Sequence, residues 1–393
     1  YAGFAGAFFL LMGSSLLTGL LIVSFVPALS WIFSRFWGMT GKLAVTNITR
    51  NLSRTAVAIA AFMVALSMLT GLGSMIGSFR SSLVWWMNSQ LKGDFYISSQ
   101  GVMSIPEQLY LELKGLEGIA GVDTYRNLPI SYQETTVNIS MVDASVLQNF
   151  SEFAWLTGGN ENWDPVKQGS VIVSESFYNR FGLGAGDTIT LDGIEGPQVV
   201  TIAGVFYDYT TEHGLIMMDR STYREIFGDY TIDTLAIFLD PNDNREVVVE
   251  EIKLKTNKRG IPLTNQEELH ACILDVFDTT FALTRSMRFL AIIVAFFGIA
   301  GALLTLFIER QREFGIYRAL GFSTQQVAGI TVMEGIGMGI ISFILSIFVG
   351  TMLAWVLIKV INFQSFNWTI FYHFSFRHYS LAAATAIVAS LGA

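Results

Sequence analysis

No acidic side chain occurs before Asp94, and beyond residue 285 the only acids are Glu309, Glu313 and Glu334. Residues 81–285 carry 29 acidic against 13 basic side chains, whereas the other 188 residues carry 3 acidic and 11 basic ones. A chain divided in this way cannot fold as one soluble globule. It reads as an acidic aqueous domain set into long apolar stretches with basic flanks. The mean hydropathy of +0.48, with 52 % hydrophobic and 14 % charged residues, averages two unlike parts.

A hydrocarbon core of about 30 Å, crossed by a helix rising about 1.5 Å per residue, needs roughly 20 apolar residues. Five stretches qualify: 3–34, with Pro27 near its end; 55–79, without a charge; 289–308; 327–358; and a last one from 379, still apolar at Ala393. The expected fold class is an α-helical transmembrane bundle, about five spans in this chain, with a large inserted α+β extracytoplasmic domain. Tyr1 opens straight into a span, so the chain is expected to begin and end inside a larger polypeptide. Arg35, Lys42, Arg50 and Arg54 crowd the link between the first two stretches, which places that link in the cytoplasm. Counting onward puts 80–288 outside, 309–325 inside and 359–378 outside as a short aromatic loop. Trp368, Tyr372 and Tyr379 are its expected headgroup anchors, and Trp85 and Trp86 hold a similar position after the second span.

Within the outer domain, 137–143, 169–175, 187–191, 198–208 and 234–240 are β-rich runs bounded by Gly, Asp and Pro. Residues 106–118 and 220–229 have helical apolar spacing. About 200 residues of this kind are enough to bury a core of their own. Thr264 with Glu267, or Asn265 with Glu268, fits a capping box. A helix starting there is expected to run unbroken into the third span and, with the outward continuation of the second, to form a stalk. The alternative is that both are simply terminal helices of the domain.

Directly after the third span comes a charged, helix-forming segment bearing Glu309, Arg310, Arg312, Glu313 and Arg318. Phe314, Tyr317 and Leu320 give it an apolar side, and Gly321 stands where a helix can stop. On spacing alone it is either a short amphipathic helix or a positively charged loop that serves topology. Glu334 is the only acid inside a hydrophobic segment. It is either an ion-pair or cap residue that transmits movement, or a partly solvated interfacial acid. Gly73 with Gly77, and Gly335 with Gly339, have the four-residue spacing that lets helices approach closely.

The sequence contains no GxxxxGK[ST], HExxH or GxSxG motif. Cys272 is the single cysteine, and His213, His270, His373 and His378 are too scattered for a zinc site. Basic clusters flank spans and do not interleave with aromatics, so no nucleic-acid groove is expected. Catalysis, a metal and a cofactor are not expected in this chain, and energy must come from a partner.

EFGIYRALGFS (313–323), placed between a span and a Gly-rich span with Glu334, closely resembles the FtsX-like permease family. LAVTNITRNLSRT (43–55), GSVIVSESFYNRFG (169–182), GAGDTITL (184–191) and VTIAGVFYDYT (200–210) extend the resemblance to members with a MacB-like extracytoplasmic domain. The resemblance implies a linker helix over 1–36, a cytoplasmic link over 37–54, a span over 55–80, a MacB-like domain with its stalk over 81–285, and a three-span domain over 286–393. Within the last, 309–321 would be the coupling helix. Glu309, Arg312, Glu313, Gly315, Ile316, Arg318, Ala319, Leu320 and Gly321 would meet an ABC ATPase dimer that holds ATP and Mg. Further implied partners are a second permease module, as a dimer or a fused tandem half, membrane lipids and an extracytoplasmic protein. The implied setting is the bacterial inner membrane, and the implied function is export or extraction of a lipid, lipoprotein, peptide or other hydrophobic compound. The alternative is a mechanical signal transmitter that activates an extracytoplasmic hydrolase without transport.

Overall fold

The computed structural model describes residues 2–50, 52–99, 104–309 and 311–392. It divides into a helical unit, Tyr1–Phe79, Thr279–Ile361 and Phe371–Ala393, and a sheet unit, Arg80–Asp278 and Asn362–Ile370. The chain opens with α1 (Ala2–Arg50) and α2 (Leu52–Gln90), then β1 (Phe95–Ser98), α3 (Glu107–Lys114), β2 (Ile119–Tyr132) and β3 (Thr135–Val142). Next come α4 (Ala144–Phe150), β4 (Trp155–Thr157), α5 (Trp163–Val166), β5 (Val171–Ser174), α6 (Glu175–Phe181), β6 (Thr188–Gly193) and β7 (Gly196–Phe206). β8 (Leu215–Asp219), α7 (Arg220–Phe227), β9 (Thr234–Leu239), α8 (Arg245–Asn257), β10 (Leu263–Asn265) and α9 (Gln266–Thr280) follow. The last helices are α10 (Ala282–Glu309), α11 (Gln311–Ala319), α12 (Thr324–Val356), α13 (Asn362–Phe366) and α14 (Phe376–Gly392).

In the helical unit α1, α2, α12 and α14 each bury one stripe. Ile22, Val26, Leu29 and Phe33 of α1 meet Ile59, Met63 and Leu66 of α2, Met338, Ile341 and Leu345 of α12, and Ala382, Ala386 and Ala389 of α14. The three- and four-residue steps are those of a single helix face. The opposite faces are also apolar: Phe8, Leu16, Leu20 and Trp31 are 61 %, 76 %, 71 % and 72 % exposed. Exposed apolar surface on this scale belongs against lipid. Among the described residues Ala2–Arg50, Leu52–Gln90 and Thr324–Phe366 are long and apolar enough to cross a membrane. The basic link is helical as far as Arg50 and again from Leu52; α1 is broken within it at Gly38, whose φ of +60° a glycine adopts without strain.

Small residues set the closest approaches. A Cβ on Gly71 would lie 2.9 Å from Leu353 Cδ2 and 3.2 Å from the Gly350 carbonyl oxygen, so α2 and α12 touch backbone to backbone there. Gly339 is pressed against Ser390 and Ala386 of α14, and Gly77 against the His378 ring. Gly73 and Gly335 are buried.

The sheet unit holds one ten-stranded sheet in the order β10-β1-β9-β2-β3-β8-β5-β7-β4, with β6 paired to β7. Pairing is antiparallel except for β3 with β8 and β5 with β7. Period-2 alternation divides the core between the two faces. Val171, Val173, Ile216 and Met218 join α3, α6, α7 and α8 on one side. Ile172, Leu215 and Met217 join Trp163, Leu147 and Phe206 on the other. The β2–β3 hairpin turns at Gln133 and Glu134, both with positive φ, as a two-residue turn of this twist requires.

Asn265 caps α9: the Glu268 N–H donates to Asn265 Oδ1 at 2.8 Å, and the Glu268 carboxylate accepts from the Asn265 N–H at 3.3 Å. This is the second of the two capping boxes expected from sequence. Gln266 Nε2 donates to the Leu91 carbonyl at 2.7 Å and Arg80 Nε lies 3.7 Å from Asp278 Oδ2, so the last turns of α2 run beside α9. The expected unbroken helix is instead interrupted at Phe281, just after Thr279 and Thr280, whose branched Cβ atoms lower helix propensity.

Candidate functional site

α11 is a two-and-a-half-turn helix closed at its end by glycine. Gly321 has φ +96°, its N–H donates to the Arg318 carbonyl at 3.1 Å, and the Phe322 N–H donates to the Tyr317 carbonyl at 3.0 Å. These two bonds form a Schellman motif, and the Tyr317 and Phe322 rings, 5.6 Å apart, supply its apolar contact. Ser323 then starts α12 with a capping box to Gln326. Two opposed helix signals within three residues fix the turn between α11 and α12.

No residue of α11 is buried. Glu313, Phe314 and Tyr317 are half-buried, whereas Arg312, Gly315, Ile316, Arg318, Ala319 and Leu320 are exposed. The apolar side expected from Phe314, Tyr317 and Leu320 is therefore split. Two of its members turn inward, and the outward apolar pair is Ile316 and Leu320, 60 % and 72 % exposed and four residues apart. Among the described residues, nothing beyond the chain neighbours and the helix's own backbone lies within 4 Å of a Cβ placed on Gly315 or Gly321. Arg318 bonds to the Thr324 hydroxyl, and Glu309 pairs with Arg54 at the start of α2. Arg310 lies outside the described residues. Glu334 is not part of this cluster; it is 3 % exposed on α12, so it is enclosed by protein.

A second cluster was not foreseen. Asn362–Ile370, expected as an interfacial loop, belongs to the sheet unit. Thr369 donates twice to the Glu175 carboxylate, from N–H at 2.9 Å and from Oγ1 at 2.5 Å. Tyr209 Oη donates to the Thr369 carbonyl at 2.7 Å, and Asn179 Nδ2 to the Asn367 carbonyl at 2.9 Å. The Trp368 indole N–H, expected at the headgroups, donates to the Thr211 carbonyl at 2.9 Å. Trp86, likewise expected at the interface, is 6 % exposed and meets Tyr209 edge to face. In the helical unit Tyr379 is buried rather than interfacial, its ring stacked on Phe374 at 5.0 Å.

Asp208 organises the turn that carries Tyr209 and Thr211. Burial pushes its carboxyl up to about 6, against the opposing effect of the Thr210 hydroxyl and the N–H groups of Thr210, Thr211 and Tyr209. Among the described residues no group of three His, Cys, Asp or Glu side chains could hold a metal.

Residues 55–255 match the family model of the MacB-like periplasmic core domain, and residues 285–393 that of the FtsX-like permease C-terminal domain. An uncharacterized ABC transporter permease protein of Mycobacterium tuberculosis is 30 % identical over 406 residues. The match covers 99 % of this chain and 47 % of that protein, so the chain spans about half the length of this curated relative. Among solved structures, the periplasmic region of MacB from Actinobacillus actinomycetemcomitans is similar at 12 % identity with a TM-score of 0.36, over 47 % of this chain and 94 % of that one. The extracellular domain of the ABC-type transporter YknZ from Gram-positive bacteria is similar at 14 % identity with a TM-score of 0.32, over 44 % of this chain and 98 % of that one. Long apolar helices together with the periplasmic-domain match make this a membrane protein with an extracytoplasmic domain. The chain belongs to the permeases of ABC transporters of the MacB and FtsX-like type.

Proposed function

We infer that this chain is a permease module that turns the ATP-driven motion of a separate ATPase dimer into movement of its extracytoplasmic domain. The work done is export or extraction of a lipid, lipoprotein, peptide or other hydrophobic compound at the inner membrane of a bacterial cell. ATP and Mg are held by the ATPase. A second permease module, fused or separate, completes the membrane part. In this reading α10 and α14 also cross, giving five spans.

The observation that carries the reading is the outward face of α11. A helix capped at its end, with Ile316 and Leu320 exposed and open space over Gly315, is the form in which an amphipathic helix enters a groove. Full burial of two such side chains is worth roughly 1.5–3 kcal/mol each. Exposed Arg312 and Arg318 flank the pair and supply orientation rather than bulk affinity. Glu334 lies about three turns into α12, the helix that α11 leads into, and is the residue through which a tilt of α11 would be felt inside the bundle.

The test is co-purification with the cognate ATPase and measurement of stimulated hydrolysis. Gly315→Trp with Arg318→Glu is expected to lower both at least tenfold while leaving the permease folded. Undiminished association and stimulation would contradict the docking assignment.

A further inference from the structure

A short connection between two spans is ordinarily left to water, where its backbone finds partners without the protein's help. Asn362–Ile370 does otherwise. The N–H and carbonyl of Thr369 and the carbonyls of Asn367 and Trp368 are each bonded to a side chain, from Glu175, Tyr209, Asn179 and Asn362 respectively. Ile370 and Asn362, at the two ends of the segment, are 1 % and 6 % exposed. Phe366 stacks on Trp368 at 5.1 Å, and Trp368 meets Tyr209 edge to face at 5.9 Å. Glu175 is only 4 % exposed, and a carboxylate so deeply buried is costly unless donors reach it. Thr369 supplies two, one to each oxygen of the carboxyl group. Removing the segment would take two donors from that buried carboxyl group, so the sheet unit is built with the segment in place.

The residues on either side, Ile361 and Phe371, belong to the helical unit and lead into α12 and α14. α12 is a single 33-residue helix that starts at the capped Ser323 beside α11 and reaches the segment through the turn at Leu357–Ile361. Resting on the permease reading above, we propose that residues 362–370 form a clamp through which motion of α12 and α14 is delivered to the extracytoplasmic domain at α6. Glu175, Tyr209 and Asn179 are its positioning residues. The domain is then driven at two further chain crossings besides α2 and α9, and those two are the ones directly continuous with α12 and α14.

Two measurements on the full chain in lipid nanodiscs test the clamp. In hydrogen exchange, amides of 362–370 are expected to be protected to the level of β7, and Thr369→Val with Tyr209→Phe to speed their exchange at least tenfold without changing β5 or β7. Exchange of the wild-type segment at free-loop rates would overturn the proposal. The second measurement uses spin labels at Val247 and Leu381 in a Cys272→Ser background, with the cognate ATPase bound. ATP is expected to change the label distance in the wild type, and the clamp variant to lose at least two thirds of that change while keeping ATPase association and stimulated hydrolysis. A full distance change in the variant overturns the clamp alone. Absence of any ATP-dependent change in the wild type overturns the permease reading together with the force path that rests on it.

Discussion

Asp208 shows how much one buried carboxyl can control. It is 2 % exposed, and its ionised form is held by the N–H groups and the hydroxyl of the turn that follows it, yet desolvation still lifts its carboxyl to about 6. The folded state therefore keeps this proton between about pH 4 and 6, where the unfolded chain has lost it. The folded protein binds more protons in that window, so this group's contribution to stability is greatest below about pH 4 and falls as pH rises to 6. Burial of Asp123 acts in the same direction, so the comparison must be made between variants. Asp208→Asn, which keeps an acceptor for the turn, is expected to flatten the pH 4–6 stability profile by on the order of 2–3 kcal/mol, read from thermal unfolding at a series of pH values. A profile identical to wild type would show that the carboxyl titrates as an ordinary aspartate. Little at this scale was legible in the sequence. Trp368 sits in an aromatic loop and reads as a headgroup anchor, but its partner, Thr211, lies 157 positions away, beyond any local pattern. Gly321 was legible because a helix terminus is announced by its own neighbours.

Elements were legible where hydrophobic periodicity was clean. The strands expected in 137–143, 169–175, 187–191, 198–208 and 234–240 are β3, β5, β6, β7 and β9, and the two expected helices are α3 and α7. β2, the longest strand, was missed because Asp123, Arg126 and Pro129 interrupt its alternation. The structure accommodates Pro129 because β9 pairs with β2 only as far as Tyr125, leaving one edge open there. β8, a four-residue apolar run rich in methionine, carries no periodicity of its own and is central only by virtue of its neighbours. Among the spaced glycines Gly77 and Gly339 make close contacts, and so do Gly71 and Gly350, which fall outside the spaced pairs. At Gly339 any side chain must displace Ser390 and the Ala386 carbonyl of α14. Gly339→Leu is therefore expected to destabilise the helical unit by about 1–3 kcal/mol, the usual cost of overpacking. Gly301→Leu, where a Cβ meets nothing within 4 Å, is the matched control. Equal unfolding midpoints for the two variants in detergent would show that α14 does not bear on α12 at this point.

For the whole molecule, the segregation of charge anticipated two units, and the structure has them. It could not anticipate that Asn362–Ile370, far along the chain, would complete the sheet unit. Non-contiguous assembly of this kind is set by side chains such as Glu175 and Tyr209 that give no local signal. The proposed account is mechanical: a capped helix would receive motion on one side of the membrane, α12 would carry it, and a clamped segment would deliver it on the other. Its central claim is that the outward face of α11 is where the ATPase sits. Site-specific photo-cross-linking in cells that express both proteins tests this most directly, with the reactive residue at Ile316 and, as a control, at Trp31 of α1, which is no less exposed. The account predicts an adduct containing the ATPase from Ile316 and none from Trp31. Adducts from neither position, or equally from both, would contradict it.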